Sequence, residues 1–224
     1  MFLRFPIRAV LFDLDGVLLN TEPLYSDATQ AVLDGYGKRF EWSLKRDMIG
    51  RSDIEGAELL VSRLGLPLSA REYLTLYEPL LEGLFARVPP MPGAEELVLA
   101  LHTRGVPQAV ATSSRLRLFE LKSKPHAWFA RFGAVVCGDD PEVKAFKPAP
   151  DIFLAAAARL GRTPSECVVV EDSPAGVTAA RRAGMQVIAL PAPELGEAAM
   201  SEADLVVENH AQVQEALFSA LAGE

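Results

Sequence analysis

The chain has few of the residues that build disulfide frameworks, zinc sites or membrane spans. It contains only two cysteines, Cys137 and Cys167. Both lie in apolar stretches typical of buried strands, so we expect free thiols in a reducing cytoplasm. The three histidines are scattered, with no pair at ligand spacing, which argues against zinc. No apolar run approaches the ~20 residues of a membrane-spanning helix, and the N-terminus lacks a signal-peptide pattern, so we expect a cytoplasmic protein without a membrane partner.

Positive charge is also scarce. The 224 residues include 22 Lys and Arg against 30 Asp and Glu, a formal net charge of −8. Such a surface repels phosphate backbones, so we expect no nucleic-acid partner. A small phosphorylated metabolite remains compatible with the sequence, because one pocket can be positive on an acidic protein. The hydrophobic fraction of 50% is enough for a sizeable core, and we expect a monomer or weak dimer.

Apolar runs that alternate with helical stretches predict the fold class. Uninterrupted apolar runs are typical of parallel strands buried on both faces. The runs are Ala9–Leu14, Gln108–Thr112, Ala134–Cys137, Cys167–Val170, Gln186–Leu190 and the shorter Leu205–Val207. Helix starts and stops lie between them, with Pro150 before one helix, Gly161 after it, and Ser173 as an N-cap of the next. The sequence predicts an α/β protein with a doubly wound, mostly parallel sheet.

One segment interrupts this alternation. Three apolar stripes at helical spacing, and no convincing strand, occur between the first and second apolar runs. A proline-rich stretch, Pro89–Gly93, follows them. We therefore predict a core of residues 1–19 and 93–224 with an inserted helical cap domain over residues 20–92. Loops at the carboxyl ends of strands are where open α/β sheets bind ligands, so the insert begins at a promising place.

Acidic side chains follow two of the predicted strands. Asp13 and Asp15 come at the end of the first strand, and Glu171 and Asp172 at the end of the fourth. If those strands are neighbours, four carboxylates meet in one crevice and require a hard cation, for which Mg²⁺ is our prediction. A turn would explain the first pair alone, since Asp-Gly is common in turns. A charge at a helix N-terminus would explain Asp172 well and Glu171 poorly.

Donors suited to phosphate oxygens occur at two further places. Thr112, Ser113 and Ser114 end the second strand in three hydroxyls, and Lys147 precedes Pro148 ahead of a helix. Hydroxyls at such positions also cap helices, and a single lysine is most often a surface charge. The sequence has no Walker-type glycine loop and no serine-histidine-acid set with motif support.

These residues, taken in order, resemble a known set of motifs. The set consists of Asp13-Leu14-Asp15-Gly16, Thr112, Lys147 and Glu171-Asp172. It resembles the four motifs of the haloacid dehalogenase-like hydrolase superfamily, and the insert resembles the helical cap of its phosphoglucomutase-like branch. The resemblance covers essentially the whole chain.

A nearer resemblance is to pseudouridine monophosphatases and their relatives. The segments that carry it are Met91–Leu97, Ala111–Arg115, Gly138–Val143 and Lys147–Leu154. It is specific for the branch and less so for the substrate, because relatives hydrolyse varied sugar and nucleotide phosphates. The implied substrate is a small phosphorylated metabolite, a nucleoside or sugar monophosphate, with a pseudouridine phosphate-like compound as first choice.

The resemblance implies a role for each motif residue. Asp13 would be the nucleophile that forms an aspartyl-phosphate, and Asp15 would be the general acid and then the general base. Thr112 and Lys147 would hold the phosphoryl oxygens. The implied metal ligands are Asp13, Asp15 through its backbone carbonyl, Asp172, and Glu171 directly or through water. Ser113 and Ser114 would contribute to substrate binding.

The sequence departs from the family pattern at two positions. Asn20 stands where many relatives have an aspartate, and Phe146 stands where a glycine usually precedes the motif lysine. We keep Asn20 as a candidate substrate-binding residue. Arg51, within Gly50–Ser52, falls near the cap loop that contacts substrate in sugar-phosphate relatives. It would grip an anionic or hydroxylated group, or would be a solvated arginine at a helix start.

Four functions are considered for this family or fold, and the sequence favours two of them. The first is a magnesium-dependent phosphomonoesterase, and the alternative is a phosphomutase of the beta-phosphoglucomutase type. In related mutases a histidine at the cap hinge helps to delay the attack of water on the aspartyl-phosphate. Tyr25 occupies the corresponding position in this sequence, and a phenol does not change its protonation state at neutral pH, which argues against a mutase. A dehalogenase would lack Asp15. A non-catalytic binding module would be favoured by substitution of Asp13 or Asp172, and both are present.

Overall fold

The computed structural model describes residues 3, 6–48, 53–192 and 197–222. Within them, helices and strands alternate after an initial strand and a helical segment. The strands are β1 (Ala9–Phe12), β2 (Gln108–Thr112), β3 (Ala134–Cys137), β4 (Cys167–Glu171), β5 (Gln186–Ala189) and β6 (Leu205–Val206). The helices are α1 (Glu22–Asp34), α2 (Trp42–Met48), α3 (Asp53–Leu64), α4 (Ala70–Phe85), α5 (Ala94–Thr103), α6 (Leu116–Ser123), α7 (Asp151–Arg159), α8 (Pro174–Arg182) and α9 (His210–Ala222).

The six strands form one parallel sheet in the order β3-β2-β1-β4-β5-β6. The predicted α/β fold with a doubly wound sheet is confirmed. Strand order reverses at β1, which lies between β2 and β4. Phe12 pairs with Val110 of β2 and with Val170 of β4, so the three carboxyl ends meet at one edge. Ligands bind at this switch point in open α/β sheets.

Burial on both faces explains why the strands are apolar throughout. Every residue of β1, β2, β4 and β5 is buried. Alternate strand residues such as Leu11 and Val169 pack with α7 and α8 in one apolar cluster. Helix α5 contacts β2 and also α9. A sheet with both faces covered needs apolar side chains at successive positions, which is the pattern in the sequence.

The first strand ends earlier than the sequence predicts. We expected Ala9–Leu14, but β1 stops at Phe12 because the chain turns immediately afterwards. The Leu14 carbonyl accepts hydrogen bonds from the N–H groups of Leu18 and Leu19, both at 2.9 Å. Gly16 completes the turn at φ +83°, in the left-handed region that favours glycine. Asp13 and Asp15 therefore lie on this turn.

The chain divides into two compact units, residues 1–20 with 89–224 and residues 21–88. The second unit is helical, and the described residues in it form α1 to α4. It has its own apolar cluster, in which Leu33, Leu60 and Tyr73 are buried. Tyr73 also donates a hydrogen bond from its hydroxyl to Thr29, at 3.2 Å. The helical unit therefore has an apolar core of its own.

Two short segments of the first unit connect the units and run side by side. The Asn20 N–H donates to the Pro89 carbonyl at 2.9 Å, and the Met91 N–H donates to the Leu18 carbonyl at 2.9 Å. Leu19 and Pro90 form an antiparallel bridge between them. The proline-rich stretch is therefore paired with the segment that follows β1. None of the helices in the described parts of the chain is long and apolar enough to cross a membrane.

Candidate active site

The candidate site lies where β1, β2 and β4 end. Asp13 directly follows β1, Thr112 is the last residue of β2, and Glu171 is the last residue of β4. The Asp13 N–H donates to the Val170 carbonyl at 3.0 Å, which extends the pairing of β1 with β4 by one residue. The sheet register therefore brings residues more than 150 positions apart in the sequence to one edge.

A buried lysine joins two of these acids. Lys147 Nζ lies 2.5 Å from Asp13 Oδ1 and 2.6 Å from Glu171 Oε1, and it also donates to the Ala111 carbonyl at 3.3 Å. All three side chains are almost excluded from solvent. The ring of Phe153 in α7 packs 4.9 Å from the ammonium. The sequence-predicted residues Asp13, Lys147 and Glu171 thus form one ionic cluster.

Glu171 is held on its other side by the start of α8. Its Oε2 accepts hydrogen bonds from the Ser173 N–H at 2.8 Å and from the Ser173 hydroxyl at 2.9 Å. Ser173 is the predicted N-cap of α8 and accepts from the Gly176 N–H at 3.1 Å. A Cβ on Gly176 would collide with the Glu171 carboxylate. Only glycine at position 176 therefore leaves room for the Glu171 carboxylate.

The electrostatics of the cluster are those of crowded buried acids. Burial raises the pKa of Asp13 to about 7; the Lys147 ammonium opposes this, and Glu171 and Asp15 add to it. Burial disfavours the charged form of Lys147, but Asp13 and Glu171 outweigh that effect and raise its pKa. Lys147 is therefore an ammonium at neutral pH, and Asp13 is easily protonated.

Asp172 is a buried acid that the neighbouring carboxylates repel. Burial, then the charges of Glu171 and Asp13, raise its pKa well above its usual range. Its carboxylate accepts no hydrogen bond from the described residues. Asp172 also faces Gly16, where a Cβ would collide with Oδ2. The first and fourth motifs are thus in direct contact, and their negative charge is only partly compensated.

Asp15 has a second, separate set of contacts. Lys122 Nζ in α6 lies 2.6 Å from Asp15 Oδ1, and the Ser114 hydroxyl donates to Asp15 Oδ2 at 3.0 Å. Lys122 also donates to the Ser114 hydroxyl at 2.9 Å. Sequence reasoning missed Lys122. The signal available was its spacing of three residues from Phe119, which puts a lysine on the buried face of α6.

The hydroxyls after β2 differ in their surroundings. Thr112 is buried, and its hydroxyl oxygen accepts a hydrogen bond from the Ser114 N–H at 3.0 Å. Ser113 is exposed, and its carbonyl lies against Gly138. Ser114 is committed to Asp15 as described above. Of the three predicted hydroxyls, Thr112 is the last residue of β2 and directly follows Ala111, whose carbonyl accepts from Lys147.

The loop before α7 presents Lys147 while its neighbour points outward. The Asp151 carboxylate accepts from the N–H groups of Lys144 and Ala145 at 2.9 and 3.0 Å, and Arg182 donates to the Pro148 carbonyl at 3.0 Å. Phe146, in the position usually held by glycine, is 67% exposed. The Phe146 side chain therefore does not prevent Lys147 from reaching Asp13.

Two further residues were predicted to bind substrate, and the structure describes one of them. Asn20 is half-buried in the segment that leaves the core, and its backbone N–H pairs with Pro89. Arg51 lies outside the described residues.

The site fits a hard cation held by few protein side chains. In the described residues, no three Asp, Glu, His or Cys side chains form a group that could hold an ion by themselves. Glu171 is already occupied by Lys147 and Ser173. The carboxylates of Asp13 and Asp172, with their raised pKa values, are oxygen ligands whose repulsion a cation would relieve. Such a sparse set suits Mg²⁺, which keeps several waters.

Comparison with known proteins gives a consistent result. A profile of the haloacid dehalogenase-like hydrolase family matches residues 7–184. The chain is 42% identical over 210 residues to (DL)-glycerol-3-phosphatase 2 of Arabidopsis thaliana, covering 91% of the chain and 88% of that protein. It is 44% identical over 201 residues to a probable pseudouridine-5'-phosphatase of Drosophila melanogaster, covering 88% and 87%.

A solved structure extends the similarity to the whole fold. A HAD-family hydrolase from Deinococcus radiodurans R1, with bound phosphate and sodium, superposes with a TM-score of 0.84. The two proteins are 29% identical, and the alignment covers 97% of each chain.

Proposed function

Since the chain belongs to the haloacid dehalogenase-like hydrolases, we propose that it is a magnesium-dependent phosphatase that hydrolyses a small phosphomonoester through an aspartyl-phosphate intermediate. The observation that carries this proposal is the contact of Lys147 with Asp13 and Glu171 at the carboxyl edge of the sheet. In this contact the proposed nucleophile, Asp13, lies next to the ammonium group of Lys147, which is proposed to bind the phosphoryl oxygens.

In this proposal Asp13 attacks phosphorus and displaces the leaving alkoxide, and water then hydrolyses the acyl phosphate and releases inorganic phosphate. Dividing one difficult displacement into two steps is the purpose of covalent catalysis. Lys147 is bound to Glu171 as well as to Asp13, so it keeps a fixed position beside the attacking oxygen. From there its charge, with the Thr112 hydroxyl, stabilises the charge that develops on the phosphoryl oxygens.

Asp15 is the proposed general acid and base. It gives a proton to the leaving oxygen in the first step and takes one from water in the second. Such proton transfer typically contributes ~10²–10⁴-fold in rate. Asp15 follows the nucleophile by two residues, and its side chain is 26% exposed, so the carboxylate is accessible to water.

Mg²⁺ would be held by the carboxylates of Asp13 and Asp172 and by the Asp15 backbone carbonyl, with Glu171 acting through water because both of its carboxylate oxygens accept hydrogen bonds from Lys147 and Ser173. When bound, it supplies positive charge that offsets repulsion between the nucleophile and a phosphate dianion. The raised pKa values of Asp13 and Asp172 support this assignment, because burial and neighbouring acids disfavour both charged carboxylates and a bound cation would favour them.

The similar phosphatases differ in their substrates, so the test is a panel. Phosphate release is measured with Mg²⁺ from glycerol 3-phosphate, pseudouridine 5'-phosphate, glucose 1-phosphate and p-nitrophenyl phosphate. We propose the nucleoside or sugar monophosphates as best substrates, with pseudouridine 5'-phosphate first. Release from at least one ester, lost in Asp13→Asn, supports the proposal. Absence of release from every ester, with correctly folded protein, would contradict it.

A phosphomutase is the alternative, and one contact argues against it. Tyr25, at the hinge position of the mutase histidine, packs edge-on against the buried Phe85, with ring centroids 5.5 Å apart. A phenol in an aromatic contact offers no proton switch near neutral pH to delay water. We therefore expect phosphate and dephosphorylated product in a one-to-one ratio. Isomer interconversion faster than phosphate release, followed by phosphorus NMR with a bisphosphate primer, would favour the mutase.

We also propose a cytoplasmic location and a monomeric or weakly dimeric state. Cys137 and Cys167 are both buried and free, and burial raises their pKa values to about 12 and about 11. Such thiols are inert and suit a reducing compartment. Sedimentation at several protein concentrations tests the oligomeric state.

A further inference from the structure

Lys122 is a buried lysine that none of the four family motifs includes. Its side chain is 0% exposed, and its ammonium contacts Asp15 Oδ1 at 2.6 Å and the Ser114 hydroxyl at 2.9 Å. Ser114 in turn donates to Asp15 Oδ2 at 3.0 Å. The three side chains form a closed ring of hydrogen bonds in which both oxygens of Asp15 are engaged.

A fully buried ammonium is costly to the fold. Removing such an ion from water costs several kcal/mol, which its ion pair only partly restores. An apolar residue at the third position after Phe119 would pack the same helix face without that cost. The charge at this place therefore calls for a role other than stability.

The partner of the ammonium points to that role. Asp15 is the proposed general acid and base, and its side chain is 26% exposed. A partly exposed carboxylate samples several rotamers unless something holds it. Lys122 approaches from α6 and Ser114 from the end of β2, so two elements of the core fix one carboxylate from two directions.

We propose that Lys122 is a positioning residue for Asp15. This inference rests on the phosphatase function proposed above. Lys122 fixes the Asp15 carboxylate directly, through Oδ1, and indirectly, by fixing the Ser114 hydroxyl that holds Oδ2. Both of these contacts lead to Asp15, so its effect on catalysis passes through that carboxylate.

The first experiment compares Lys122→Met with Lys124→Met. Both remove a lysine charge at or beside the end of α6, but Lys124 is exposed. Turnover of p-nitrophenyl phosphate is measured with Mg²⁺. We expect kcat of Lys122→Met to fall at least 10-fold with KM within about twofold, because misplacing a catalytic group by about 1 Å costs up to about 100-fold. Lys124→Met should match the wild type.

The second experiment tests whether the effect passes through Asp15. Lys122→Met is combined with Asp15→Asn and measured with the same substrate. If Lys122 acts by positioning Asp15, adding Lys122→Met to the Asp15→Asn variant lowers kcat by less than about twofold, because the carboxylate that Lys122 positions is already absent. An equal loss in both backgrounds would mean that Lys122 serves the fold or another residue, and would overturn the inference.

A third variant covers the case in which Lys122→Met does not fold. Lys122→Gln keeps an amide that can donate hydrogen bonds but removes the charge, so its kcat should lie between that of the wild type and that expected for loss of the contact. A wild-type kcat in a folded Met or Gln variant would also overturn the inference. Wild-type protein that releases no phosphate from any ester of the panel is a different result and contradicts the proposed function instead.

Discussion

Replacing Asp13 by asparagine separates the catalytic role of this side chain from its effect on stability. The amide has nearly the shape of the acid but is a far poorer nucleophile and does not ionise. Phosphate release should therefore be abolished. In the absence of metal the variant should nevertheless be more stable than the wild type at alkaline pH, because the buried negative charge is removed.

The size of the effect follows from the pKa of Asp13. Burial raises it from 3.8 to about 7. The ordinary ionisation of an unfolded aspartate therefore stabilises the unfolded state as pH rises. The contribution of Asp13 to the free energy of unfolding of the wild type is largest below about pH 4, falls between about pH 4 and 7, and is constant above about pH 7. Each pKa unit is worth about 1.4 kcal/mol, so the full loss is at most about 4 kcal/mol.

The Asp13→Asn variant avoids this loss of stability but gives up an ion pair, because Lys147 keeps only one of its two carboxylate partners, Glu171. We expect the free energy of unfolding of Asp13→Asn to exceed that of the wild type by about 1–3 kcal/mol at pH 8, and the difference to vanish near pH 4. Urea denaturation followed by circular dichroism, at several pH values with a chelator present, gives both curves.

Two results would refute the reasoning. If the two unfolding curves run parallel from pH 4 to 8, Asp13 is not the group whose pKa is raised. If pure Asp13→Asn releases phosphate at the wild-type rate, Asp13 is not the nucleophile. The two readouts are independent, so one can fail without the other.

Other changes act on the same cluster. Gly176→Ala should lower the free energy of unfolding by about 1–3 kcal/mol and reduce kcat, because the added Cβ displaces Glu171. The control is Gly83→Ala, at a helix position with open space, which should raise the free energy of unfolding by up to about 1 kcal/mol in the same urea titration. Chelation should abolish phosphate release, Mg²⁺ should restore it, and Ca²⁺, which prefers more ligands in a looser geometry, should restore little; full activity without metal would contradict the proposed site.

The strands and the acids that follow them could be predicted because both follow from local rules. A parallel strand buried on both faces is a continuous apolar run, and β2 and β3 were predicted with their observed bounds. The acids at the ends of β1 and β4 meet because those strands are neighbours. The end of β1 was misplaced because two hydrogen bonds to the Leu14 carbonyl, which no apolar pattern reports, turn the chain.

Features that depend on distant packing were not predictable in the same way. Helix α2 was missed because only Leu44 of its seven residues is buried and Trp42 is exposed, so it has no apolar stripe. Lys122 was missed because a lysine is ordinarily solvated, and its contact with Asp15 depends on how α6 is rotated against the core. Sequence patterns record which faces are apolar, but not which polar atoms meet across the fold.

The paired segments at Leu18–Asn20 and Pro89–Met91 have a consequence for how the chain folds. About 95 residues separate the end of β1 from the start of β2, and about 70 of them belong to the helical unit. If that unit folds first, the loop to be closed shrinks to about 25 residues, and the entropic penalty of joining β1 to β2 falls by about 1 kcal/mol. The folded insert then shortens the effective loop between β1 and β2, so its length adds little to the entropic penalty of pairing these strands.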